Sequence, residues 1–76
     1  MAVYDAMREA GTALMGSFVW LADHAADEGP AARWWAAYGE VQATRELVDA
    51  RDVETQRRVT REYLAREQAV RPLVRA

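Results

Sequence analysis

Residues Val3, Met7, Ala10, Leu14, Phe18 and Leu21 recur at intervals of three and four, and that period constrains the chain more than any other feature. At about 100° per residue they fall on one stripe of a helix, whereas a strand would scatter them over both of its faces. A second set, Tyr4, Met15, Val19, Trp20 and Ala22, widens the stripe until the middle of the segment is apolar almost all round. A helix of that kind belongs at the centre of a fold or in an interface between subunits. Gly11, Ala13, Gly16 and Ser17 lie inside it. An interior glycine costs about 1 kcal/mol relative to alanine, and close approach of another helix backbone would offset the cost.

The strongest break in the pattern is Gly29-Pro30. Glycine ends one helix in a left-handed conformation and proline opens the next, so the break predicts helices over 3–27 and 31–50. The second begins with Arg33-Trp34-Trp35-Ala36-Ala37-Tyr38-Gly39-Glu40. Trp34, Ala37, Tyr38, Val41, Thr44 and Val48 share one face, the expected core side. Trp35 points about 100° away, among Gly39, Gln42, Glu46 and Asp49. It either folds over the Gly-Pro turn or anchors a partner, exposed tryptophan being enriched at binding hot spots.

Beyond Ala50 the pattern thins. Asp52 is placed to cap a third helix with Glu54 in its first turn, although a single bent helix fits almost as well. The segment should stop before Pro72, leaving 72–76 as a tail. One arc carries Val53, Val59, Thr60, Tyr63, Leu64 and Val70; the opposite arc carries Glu54, Arg57, Arg58, Arg61, Glu62 and Ala65. The expected fold is therefore all-α: a small antiparallel bundle of three helices, about 3–27, 31–50 and 53–71, or a long helical hairpin, in one domain over 1–71. Its first helix is buried between the other two or against a twin subunit. A domain this small buries only about 60% of its unfolded surface. Alanine also supplies much of the 51% hydrophobic content. Completion by dimerisation is expected on that ground.

Charge is divided along the chain. Residues 1–50 hold three Arg against eight acids, a net of minus five, and residues 51–76 hold seven Arg against four, a net of plus three. Glu54 with Arg58, Glu62 with Arg66 and Glu67 with Arg71 form acid-before-base pairs four residues apart, each worth about 0.2–0.5 kcal/mol. Arg57 and Arg61 are left over. The stretch from Arg45 through Arg61 resembles a helix-turn-helix, in which a second helix carrying Arg57, Arg58 and Arg61 would enter the major groove. It departs from that motif at Asp52, where glycine usually makes the turn, at Arg51, where an apolar residue usually packs, and in the spacing of Val53 to Val59, which is one residue long.

Chemistry has few footholds. His24, with Asp23, Asp27 and Glu28, has no second histidine to complete a metal site, and a place near a helix C-terminus suits it better. Ser17 is the sole serine and lies inside the apolar arc. No nucleophile with its base and no glycine-rich phosphate loop is recognisable, so neither an enzyme, nor a cofactor, nor a small-molecule substrate is expected. The chain lacks cysteine, which suits the cytoplasm. Asp5 and Glu9 stand where a secretory leader would be basic. The uncharged run Ala10 to Ala22 is 13 residues, against about 20 for a membrane span. The leading expectation is a non-catalytic protein-protein interaction module, a homodimeric regulator or adaptor, using Trp35, Trp20, Phe18 and Met15. The rival is a DNA-binding regulator using the three arginines.

Overall fold

The first helix, α1, spans Val3–Asp23 and so ends four residues before the expected boundary at Asp27. His24 closes it: the backbone N–H donates to the Trp20 carbonyl at 3.0 Å and the ring Nδ1 donates to the same oxygen at 2.8 Å. A histidine there satisfies carbonyls that the helix leaves without partners. Asp27 then belongs to the next helix, α2, Glu28–Leu47, as its N-cap, and its carboxylate accepts the Gly29 N–H at 3.0 Å. The Gly-Pro pair is thus not a corner but part of the first turn of α2. Its glycine has no positive φ, and proline is tolerated there because an N–H in a first turn has no intrahelical acceptor.

After Leu47 the chain turns through residues 48–52 and re-enters a helix, α3, Val53–Arg75. Asp52 caps it, accepting the Thr55 N–H at 3.1 Å and the Thr55 hydroxyl at 2.7 Å. The buried Gln56 donates its amide to the Asp49 carbonyl at 2.9 Å and ties the turn to the helix. These bonds make α2 and α3 two helices, not one bent helix, and end α2 short of Ala50. At the far end α3 continues through Pro72 instead of stopping before it. Proline removes one hydrogen bond, but Val70 is buried and Val74 packs on the core, which holds the last turn down. The computed structural model describes residues 2–75, Arg75 by its backbone only; Met1 and Ala76, the first residue of the expected domain and the last of the expected tail, lie outside the described residues.

The three helices run up, down and up. α1 packs on both α2 and α3, which meet each other only marginally. The Cα envelope measures 41 × 21 × 14 Å, wider than it is thick because α1 stands between its neighbours. Met7, Leu14, Phe18 and Leu21 of α1 meet Ala37 and Val41 of α2 and Val59, Tyr63 and Val70 of α3. Trp34 stacks on Phe18 with ring centroids 5.7 Å apart, and the Arg66 guanidinium lies 5.1 Å from the same ring. Among the expected core positions Thr44, Val53 and Leu64 are exposed, since α2 and α3 each pack mainly on α1, meet each other only marginally, and so turn a narrower face inward than their apolar arcs.

Candidate interaction surface

The side of α1 opposite the core stripe carries Glu9, Ala13, Gly16 and Trp20, three to four residues apart. Glu9, Ala13 and Gly16 are exposed and Trp20 is half-buried, its indole stacked on His24 with centroids 3.8 Å apart. A Cβ built on Gly16 meets nothing within 4 Å, so the chain's own packing does not require glycine there. Gly11, on the inner side, is the contrast: its Cβ would stand 3.0 Å from Arg45 Cδ and 3.3 Å from the Tyr63 ring. Here a close approach does use the missing side chain.

Arg45 is the residue that sequence reasoning missed. Its Nη1 donates to the Arg8 carbonyl at 3.0 Å and to the Thr12 hydroxyl at 2.9 Å, while Nε is buried with no partner. It clamps α2 to α1 across the Gly11 notch. The only signal for it in the sequence is a glycine inside an otherwise apolar stripe. Tyr63, beside the same notch, donates its hydroxyl to the Val41 carbonyl at 3.3 Å. Burial raises its pKa, against the opposing pull of Arg45.

On the outer side of the α1/α2 seam, Thr12, Met15, Gly16, Val19, Tyr38 and Arg45 line a groove of about 360 Å³. Trp35 stands edge-on to Tyr38 at 5.8 Å and is 46% exposed. It does not fold away over the Gly-Pro turn. On the outer side of the α1/α3 seam, Val3 and Ala6 line a second groove with Arg57, Thr60 and Arg61. Leu64, one turn further along α3, is 52% exposed. One broad face therefore crosses all three helices, with aromatic rings on α2, small side chains on α1, and leucine with two arginines on α3.

Of the residues expected to meet a partner, this face holds Trp35 and Trp20. Phe18 and Met15 are corrected to core. Phe18 has no exposed surface because it shares the stripe of Met7, Leu14 and Leu21, and the buried Met15 fills the seam with α2. Arg57 and Arg61 are exposed and make no ion pair among the described residues. Arg58 pairs with Glu62 at 3.0 Å, not with Glu54. Arg66 is drawn over Phe18 instead of to Glu62. The Glu67–Arg71 pair forms as expected, with Nε to Oε2 at 3.1 Å, and Glu67 also accepts the Ser17 hydroxyl at 3.0 Å.

The helix-turn-helix likeness does not extend to three dimensions. The contacts Gln56 to Asp49 and Tyr63 to Val41 lay α3 beside α2 as an antiparallel neighbour, where the motif crosses its helices at roughly 90–120°. Among the described residues no three His, Cys, Asp or Glu groups converge to hold a metal ion, and no helix is long and apolar enough to cross a membrane. No family model matches the chain, and neither the curated proteins nor the solved structures contain a match.

Proposed function

We propose that this chain is a non-catalytic protein-protein interaction module, a homodimeric regulator or adaptor of the cytoplasm. The observation that carries the reading is the exposed Trp35, held edge-on by Tyr38 beside a mainly apolar groove that none of the described residues fills. A rigid, amphipathic aromatic loses little conformational entropy on docking, which is why such groups dominate binding energies at interfaces. The small core supports the same reading, since a second subunit would add the buried area that a chain of this length lacks. Sedimentation equilibrium on the full chain tests it. A dimer at micromolar concentration is expected, and a monomer at the highest soluble concentration refutes the homodimeric part.

A second reading, binding of DNA phosphates, is favoured by one observation: Arg57 and Arg61 are exposed side by side, and neither is in an ion pair among the described residues. Two or three arginines give a weak track beside the six to ten phosphate contacts, roughly, of a DNA-binding protein. Titration with duplex DNA at low and moderate salt decides it. Affinity that falls steeply with salt supports this reading, and no binding at low salt removes it.

A further inference from the structure

We infer that the outer face of α1, with the edges of α2 and α3 beside it, is the surface that receives a second copy of this chain, the two copies being related by a twofold axis that runs along α1. The inference rests on the homodimeric reading above and adds to it the surface, the axis and the pairing.

Charge is the first argument. On the outer face the acids lie on α1 and α2, as Asp5, Glu9 and Glu46, and the bases lie on α3, as Arg57 and Arg61. All five are exposed, and none is in an ion pair among the described residues. The two edges also stand level. Gln56 bonds the Asp49 carbonyl and Tyr63 bonds the Val41 carbonyl, so Arg57 and Arg61 sit at the height of Glu46 on the far side of α1. A twofold axis along α1 carries the α3 edge of one copy over the α2 edge of the other without changing that height. Arg57 and Arg61 then meet Glu46 of the partner subunit, and the reciprocal contact forms by symmetry.

The apolar groups follow the same operation. Leu64 follows Tyr63, which bonds the Val41 carbonyl, so it stands within about one turn of Tyr38 and falls near the aromatic pair Trp35 and Tyr38 of the partner subunit. Ala13 and Gly16 lie nearest the axis, where two α1 backbones approach, and the open space around Gly16 admits the neighbour. An antiparallel arrangement about the perpendicular axis in the same plane loses this match. It would set the arginines of α3 against the end of α3 that carries Gln68 and Arg71, and would leave Glu46 facing α2 of the other copy. The like-charge encounters in the parallel arrangement are those of Asp5 and Glu9, one turn apart on α1, with their own symmetry mates.

Sedimentation equilibrium with far-UV circular dichroism on full-length variants tests the assignment. Gly16→Arg places a long charged side chain where the isolated subunit has room, so native helicity should persist while the dimer weakens at least about tenfold in dissociation constant. Arg61→Glu and Glu46→Arg should each weaken the dimer several-fold, and the two together should restore it. Glu9→Gln should tighten it. If the unaltered chain is a monomer, the homodimeric reading and this surface fall together. If it is a dimer that Gly16→Arg leaves unchanged, the surface is wrong and the homodimeric reading stands. If Gly16→Arg disrupts the dimer but the reversed pair fails to restore it, or Glu9→Gln does not tighten it, the parallel axis is overturned.

Discussion

α1 and α3 are nearly equal in length, 21 and 23 residues, and lie side by side in the same direction, yet they are stable for different reasons. α1 begins without a side-chain cap, at Ala2, carries two glycines, and buries Met7, Ala10, Gly11, Leu14, Met15, Phe18, Leu21 and Ala22. α3 begins with the Asp52 cap, carries ion pairs along its exposed flank, and buries little beyond Gln56, Val59, Tyr63 and Val70. Local interactions supply much of α3, and tertiary packing supplies nearly all of α1. A helix made by packing is lost when packing is lost, whereas a helix made locally tolerates surface change.

The largest effect that follows from this contrast is at Phe18, buried against Trp34 and Arg66. Phe18→Ala should cost about 3–5 kcal/mol. Urea unfolding followed at 222 nm is the check, and because that loss rivals the whole stability of a small domain, the variant should be largely unfolded. Filling the notch comes next. Gly11→Leu forces Arg45 and Tyr63 out of place and should cost about 1–3 kcal/mol by the same measurement. Gly16→Ala, five residues along the same helix, has the opposite sign: with open space around the new Cβ, the isolated subunit should gain up to about 1 kcal/mol. Opposite signs at two glycines of one helix separate close packing from an open face.

Effects in α3 are smaller. Asp52 has its carboxyl held below the usual range, first by its hydrogen bonds to the Thr55 hydroxyl and N–H and, more weakly, by Arg58, with slight burial opposing. A depressed folded pKa stabilises the chain above the ordinary value of 3.8. That contribution is lost as pH falls below 3.8 through the folded value. Asp52→Ala should lower Tm at neutral pH, and the difference from the parent chain should shrink under acid. If the difference is the same at both pH values, the carboxylate is not what caps α3. Leu64→Ala is the smallest change, within about 0.5 kcal/mol for the isolated subunit.

The tryptophans of Arg33-Trp34-Trp35 mark where the sequence was legible. Their separation of about 100° on a helix put Trp34 inside and Trp35 elsewhere, and both placements hold. The stripe of α1, its central position and the cap at Asp52 were equally readable, because periodicity and capping are properties of neighbouring residues. Phe18 and Met15 were misplaced as partner contacts. An over-wide apolar arc says how much circumference must be covered but not which part the chain covers itself. The boundary at Gly29-Pro30 was misread for a related reason. Asp27 could cap a helix that starts earlier, and only the stop made by His24 shows that it does so.

By itself the sequence determined that this is an all-helical chain, that its first helix is the most buried, and that its charge divides into an acidic front and a basic end. Those are matters of period and composition, fixed before any two distant residues meet. Tertiary structure decided the rest: that Arg45 crosses to α1 over Gly11, that α3 lies antiparallel beside α2 instead of across it, and that Trp35, Gly16 and Leu64 share an outer face. Each of these depends on how far one helix is turned about its axis against another, and packing of the whole sets that rotation where local spacing cannot.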